Sequence, residues 1–293
     1  MRINTNVSSL VAQEANANTN KTISSSLEKL STGNRINKAS DDASGLSIAD
    51  KLRTQASGLN QAVANGNSAV TLTQIADKAM AEQSNILDVV KQKLIQASTA
   101  TTSADGIDAI GKDISKLLEQ LDNIATQTTY NGTALLQASV TDSGAGKSLT
   151  FQMGTLAADT ISTTSGAQSN TAGLNGMAAL LVSAAGSFGA SSAGTAGAAQ
   201  TAARAQLAQV DSALTQLNGF RADFGSTQNQ LESSIRNLMT QVTNTKAAES
   251  VIRDVDYAAE SANFNKQNII SQAGTYAISQ ANSSAQNVTR LLQ

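Results

Sequence analysis

The 293-residue chain carries 20 basic and 22 acidic residues, a net charge of −2, only 3% aromatic residues, and no Trp, Pro, Cys or His. Without His or Cys it has no catalytic triad, no thiolate nucleophile and no ordinary zinc, copper or haem site, and a balanced charge without a basic block argues against nucleic-acid binding. So few aromatics would leave a compact core of this size short of buried area, whereas Ala, Leu, Ile and Val suffice for narrow helix–helix seams and the absence of Pro removes the commonest helix breaker.

The chain opens Met1-Arg2-Ile3-Asn4-Thr5-Asn6, one Arg followed by polar residues, without the apolar run of a secretory signal. Ile3, Val7, Leu10 and Ala17 begin a helical seam, which Ile23, Leu27 and Leu30 continue in a shifted register. From Leu30 to Ala49 a polar connector joins two helical stretches; Gly33 and Gly45 allow turns, and Asp42 or Ser44 caps the second helix. Asp41-Asp42 could be an acid pair, but acids at a helix start complement its dipole, which makes capping the simpler reading.

The longest pattern follows. Ala49, Leu52, Ala56, Leu59, Val63, Gly66 and Val70 alternate by three and four, and the stripe drifts on through Leu72, Ile75, Ala79, Ile86, Val90 and Leu94. Unbroken over 44–97, this helix would be about 80 Å long at 1.5 Å per residue. Ile107, Ile110, Ile114, Leu117, Leu121 and Ile124 repeat the spacing, and the short link at 98–106 suits antiparallel neighbours.

Ser143–Ser148 resembles the end of a phosphate-binding loop, but Thr141 stands where the motif needs Gly and the following sequence is strand-like, so nucleotide binding is not expected. Residues 149–154 alternate with period two and 159–162 give a second strand signal, predicting a hairpin. No charge occurs over 160–203, and 166–200 is Gly/Ala/Ser/Thr-rich, read as surface loop with one short helix at 176–185. Its longest apolar run, Met177–Val182, is far short of the roughly 20 residues of a membrane span. Its Ser and Thr are candidates for O-linked sugar, whereas the N-x-[ST] matches at Asn6, Asn131, Asn282 and Asn287 read as chance in an Asn/Ser/Thr-rich chain.

A third long stripe runs from Leu207 through Val210, Leu214, Leu217, Phe224, Leu231, Ile235, Leu238 and Val242 to Ile252, interrupted by Arg221, Gln228, Thr245 and Glu249. Asp254 and Asp256 lack the further oxygen ligands of a calcium loop. Ile270, Gly274, Ala277, Ala281, Ser284, Val288 and Leu291 then hold a heptad of small residues. Such narrow seams bury little apolar area per turn, so both terminal arms are expected to be loose in a free monomer and to order against other copies. The fold class is mainly α: an elongated antiparallel helical bundle or coiled coil with a small β-hairpin region.

The run Leu30-Ser31-Thr32-Gly33-Asn34-Arg35-Ile36-Asn37-Lys38-Ala39-Ser40-Asp41-Asp42-Ala43-Ser44-Gly45-Leu46-Ser47-Ile48-Ala49 closely resembles the N-terminal signature of bacterial flagellins. The opening hexapeptide, the Tyr130-Asn131-Gly132 turn with Leu135-Leu136, the Asp254–Glu260 run, Gln272-Ala273-Gly274, Gln280-Ala281-Asn282 and the Leu291-Leu292 ending extend the resemblance over about 1–165 and 203–293. No large outer domain is inserted between them, so the chain resembles a near-minimal flagellin.

The resemblance implies a non-enzymatic, cofactor-free subunit of the motility filament, secreted unfolded and built into an extracellular flagellum. Residues 1–43 and 254–293 would be the inner coiled-coil arms, 44–165 and 201–253 the surrounding helical bundle with its hairpin, and 166–200 a solvent-facing insert. Self-assembly would fall to Ile3, Val7, Leu10, Ile23, Leu27, Leu30, Arg35, Asp41, Asp42, Ile270, Ala277, Ala281, Val288, Leu291 and Leu292. Implied partners are other copies of the chain, an export chaperone, the filament cap and hook-associated junction proteins; a junction protein of the same superfamily is the alternative. Two departures from the family stand out. Ala285 replaces a frequent Pro in the last helix, which would leave that helix straighter or longer. In flagellins sensed by the flagellin-binding Toll-like receptor, the segment matching Leu87–Gln96 commonly reads LQRVRELAVQ. Here Leu87 and a basic Lys91 remain, while Val89, Gln92 and Lys93 replace Arg, Glu and Leu, so weak recognition by that receptor is expected.

Overall fold

The structure, a computed structural model, describes residues 5–137, 148–163, 166–174, 177, 178, 180 and 196–291, the side chains of 196–199, 285 and 287–291 excepted. Among the described residues the named elements are α1 (Val7–Thr32), α2 (Ala43–Ala97), α3 (Ala104–Gln127), β1 (Thr129–Tyr130), β2 (Thr133–Ala134), β3 (Thr150–Gln152), β4 (Thr160–Ser162), α4 (Ala196–Arg253) and α5 (Tyr257–Leu291). None of these helices is long and apolar enough to cross a membrane. The mainly-α expectation with a small β region holds, and α2 runs unbroken for 55 residues over nearly the span its periodicity predicts.

The chain divides into two compact units, 58–241 and 1–57 with 242–293. The division falls inside α2 and α4 rather than at their ends.

Unit 58–241 holds the hydrophobic core. Along α2 the buried positions step by three and four through Ala62, Gly66, Ala69, Thr73, Ala76, Met80, Gln83, Leu87, Val90, Leu94 and Ala97. Val63, Val70 and Ile75, which the sequence pattern put on the seam, sit beside it instead. The selected positions are smaller, and small seam residues let neighbouring backbones approach. From α3 come Ile107, Ile114, Leu118 and Leu121, and from α4 Val210, Leu217 and Phe224, all fully or nearly fully buried. Each such side chain contributes roughly 1.5–3 kcal/mol of transfer free energy. Gly66 marks a close approach on α2: a Cβ there would lie 2.7 Å from Met153 Cε and 2.8 Å from Ile235 Cγ1. Gly66→Val is expected to lower stability by about 1–3 kcal/mol through overpacking, read as a lower urea midpoint with an unchanged slope.

The predicted hairpin forms as β3 against antiparallel β4, with Phe151 opposite Ile161. β1 and β2 make a second hairpin, closed by Asn131 (φ 49°) and Gly132 (φ 77°). Positive φ at both loop residues matches the twist of a tight antiparallel turn, which is why Asn-Gly occupies it.

Residues 167–180 overturn the surface-loop reading wherever they are described. Ala167, Leu174, Met177 and Leu180 are buried in the core cluster, and Met177, Ala178 and Leu180 are helical. Polar contacts anchor the segment: Asp122 accepts from Thr171 N at 2.7 Å and Thr171 Oγ1 at 2.8 Å. Buried Gln83 donates to Leu121 O and Ser169 O at 3.1 and 3.0 Å. α4 also begins earlier than its Leu stripe, at Ala196. The remainder of the predicted 176–185 helix and Ser143–Lys147 lie outside the described residues.

Candidate functional site

The second unit is built on the pair α1 and α5, joined to α2 and α4 by two short connectors that pin each other. α1 ends at Gly33, whose φ of 74° allows its N–H to return to Lys29 O at 2.9 Å. The chain then runs antiparallel to the α4–α5 connector, with Asn34 opposite Asp254, Arg35 N donating to Arg253 O at 2.6 Å and Val255 N to Gly33 O at 3.0 Å. The Arg35 guanidinium donates to Ile252 O at 2.7 Å, where it meets the carbonyl end of α4. Ile36 is the buried apolar residue of this junction.

Asp41, Asp42 and Asp256 act on backbone amides, and Asp254 on a neighbouring hydroxyl. Asp42 Oδ1 accepts from Gly45 N at 2.9 Å and starts α2, Asp256 Oδ1 accepts from Ala258 N at 2.9 Å and starts α5, and Asp254 Oδ2 accepts from Ser250 Oγ at 2.6 Å. Among the described residues no three acidic groups gather as a metal site. Asp41 Oδ2 accepts from Lys38 N and Asn37 N, both at 3.0 Å, and these bonds hold its carboxyl below the ordinary value of 3.8. Lys38 is raised above 10.5 by its bond to Glu28 at 2.7 Å. A depressed carboxyl stabilises the connector above its unfolded value and loses that contribution as pH falls through the lower folded value. Protection of the Asn37 and Lys38 amides, taken relative to their intrinsic exchange rates, should therefore fall as pH drops below the ordinary carboxyl value of 3.8, and Asp41→Asn should remove that acid dependence.

Along α1 the buried and half-buried positions include Ser9, Ala12, Asn16, Thr19, Ile23, Ser26 and Leu30, a heptad alternation of three and four, joined near the helix end by half-buried Ser25, Glu28 and Lys29. On α5 the matching face carries Phe264, Gln267, Ser271, Gly274, Ile278 and Ala281. The period is the expected one, but the register is not. Ile23, Leu30, Gly274 and Ala281 lie on the seam, whereas Val7 (59% exposed), Leu10 (54%), Leu27 (56%), Ala17, Ile270 and Ala277 lie off it. Arg35, Asp41 and Asp42 are exposed in the connector, and Ile3, Leu292 and the side chains of Val288, Leu291 and Ala285 lie outside the described residues.

Sequence reasoning missed the polar contacts that close the seam. Asn6 Nδ2 donates to Ala281 O at 3.0 Å, and Ser271 Oγ lies 3.4 Å from Asn16 Oδ1 and 3.3 Å from Asn20 Oδ1. Buried Ser26 donates to the Glu260 carboxylate. Ser9 and Asn16, seven apart, and Thr19 and Ser26, seven apart, were the available signal, hidden by the apolar residues beside them.

Exposed apolar side chains concentrate in this unit. Among the described residues, ten of the fifteen large hydrophobics that stand exposed belong to it, including Val7, Leu10, Val11, Leu27, Ile269 and Tyr276, while its described buried hydrophobics are Ile36, Ala49 and Ala56. Apolar surface of that kind, beside an interior so thin, marks an interaction surface.

Within 58–241, the segment around Val89 is ordered by ion pairs. Lys91 Nζ meets Asp211 at 2.5 Å and Lys93 Nζ meets Asp113 at 3.1 Å. Leu87 is fully buried, which removes it from any receptor-facing surface of the folded protein; Val89 and Gln92 are exposed.

Residues 3–141 match the family description "Bacterial flagellin N-terminal helical region", and residues 207–292 match "Bacterial flagellin C-terminal helical region". The chain is 36% identical to the flagellin of Bacillus subtilis (strain 168) over 310 aligned residues, covering all of both chains. It is 34% identical to the flagellar filament 30.7 kDa core protein of Treponema maltophilum, again over the whole of each. The crystal structure of Bacillus cereus flagellin shares 26% identity and a TM-score of 0.46, over 64% of this chain and 94% of that one.

Proposed function

The chain belongs to the bacterial flagellin family and is a structural subunit of the flagellar filament, and from that premise we propose that α1 and α5 form the surface through which copies assemble. The observation that carries the reading is the set of off-seam residues of α1 and α5, with Val7, Leu10, Leu27, Ile270 and Ala277 exposed around a seam in which Ile23, Leu30, Phe264 and Ile278 stand among small and polar residues. Buried between copies, that stripe supplies the area a single chain lacks, and its burial offsets the entropy of ordering the arms. Residues 1–43 and 254–293 are then the inner arms, with Arg35, Asp41 and Asp42 positioning them through the connector. The terminal pair, with so little apolar area of its own, is weakly held until it packs against neighbours.

Catalysis has no part in this reading, and the partners beyond other copies are an export chaperone, the filament cap and the junction proteins of an extracellular flagellum. Electron microscopy of purified chain under polymerising conditions tests it. Long homopolymers are expected; short assemblies that form only on the end of another filament would favour a junction protein instead.

Val89 in place of an Arg removes a planar donor fork that Val cannot replace, and Lys91 and Lys93 are engaged by Asp211 and Asp113. We therefore expect monomer to activate the flagellin-binding Toll-like receptor poorly, and Val89→Arg to raise the response in a reporter assay. Strong signalling by the unaltered chain would contradict this.

A further inference from the structure

α1 has two faces that could meet α5: an inner one with Ile23 and Leu30 among Ser9, Ala12, Asn16, Thr19 and Ser26, and an outer one that carries Val7, Leu10 and Leu27. Both offer apolar area, so side-chain burial alone does not choose between them. What distinguishes the chosen face is the set of polar contacts across it: Asn6 to Ala281 O, Ser271 between Asn16 and Asn20, and Ser26 to Glu260. These keep one antiparallel register. Each step of about ten residues up α1 is matched by a similar step down α5, and the same progression ends in the Asn34–Asp254 bridge.

We propose that Asn6, Asn16 and Ser271 are face-selecting residues: they hold the polar side of α1 against α5 so that its apolar stripe stays free for other copies. A polar group on a helix seam is satisfied in one pairing and stranded in others, so it trades stability for specificity. Without these contacts α1 and α5 would both rotate about their axes and bury Val7, Leu10 and Leu27 against Ile270 and Ala277 of the same chain. The result would be a better-held terminal pair with no assembly surface. The inference rests on the stripe being the assembly surface, but its test reads the pairing within one chain.

The chain has no cysteine, so engineered thiol pairs report without background. Thr19→Cys with Asn268→Cys places thiols on the polar seam, and Ala17→Cys with Ile270→Cys places them on the outer stripe in the same register. Oxidative cross-linking of full-length monomer is compared between the natural background and Asn6→Ala/Asn16→Ala/Ser271→Ala. The natural background is expected to give the seam product. In the triple variant the ratio of stripe to seam product should rise about tenfold or more, while helix content is kept and polymerisation is lost. Adding Val7→Ser, Leu10→Ser and Leu27→Ser to the triple variant should return the seam product, because the competing face is gone. A triple variant that keeps the seam product overturns the proposal, and so does one in which both products vanish with the helix content. A rotated pair that still polymerises would leave face selection standing and refute the stripe as assembly surface.

Discussion

A chain ending at Arg253 stays monomeric while its 58–241 unit remains folded. The truncation removes α5 and with it Ile269, Ile270 and Tyr276, three of the exposed apolar residues, and takes from α1 the helix it pairs with. A lone 26-residue α1 whose buried face is largely Ser, Asn and Thr is marginal as a helix in water. The core cluster is untouched, because each of its members lies between Ala76 and Phe224. Circular dichroism should show helix loss confined to the removed and unpaired segments, with a cooperative thermal transition retained. Sedimentation should find no polymer at concentrations where the full chain forms filaments. Normal filaments from the truncated chain would refute the role given to the terminal helices.

Phe224→Ala is expected to act in the opposite way, costing about 3–5 kcal/mol of stability without touching the assembly surface. Among the described residues Phe224 is the largest fully buried side chain, set on α4 within the cluster that also holds Leu87, Leu118 and Leu121. Tyr130, Phe151 and Phe220 pack against the same cluster without being fully buried in it. Urea denaturation should show a lower midpoint with an unchanged slope, and folded monomer at low temperature should still polymerise. The loss would be smaller if the small residues around it collapsed into the space, and the measured value reports how far they do.

The long helices were legible because a heptad sustained over 50 residues outweighs local ambiguity: α2 and most of α4 follow from spacing alone, and the absence of Pro lets them run. Two failures have one cause. The α1 seam and the 167–180 segment are both held by polar contacts, which hydrophobic periodicity cannot register. Ser26 with Glu260 and Asn16 with Ser271 join residues more than 230 positions apart, and Thr171 finds its acceptor on Asp122 of α3. A Ser, Asn and Thr-rich stretch therefore reads as solvated when it is clasped. The shift from Val63 and Val70 to Ala62 and Ala69 in α2 has a related origin, since close backbone approach selects the smaller neighbour. Connector residues fared better: Asp42 caps α2 as its sequence position suggests, and the family signature had already drawn attention to Arg35.

The polymerisation threshold of Val7→Ser/Leu10→Ser tests most directly the claim that an outward stripe on the terminal helices builds the filament. Both side chains stand more than half exposed in the single chain, so their replacement should leave the monomer's helix content and thermal transition unchanged. If they are buried between copies, the loss is about 1.5–3 kcal/mol for each, and the critical concentration should rise at least about a hundredfold. An unchanged critical concentration, with filaments of normal length, would contradict the account.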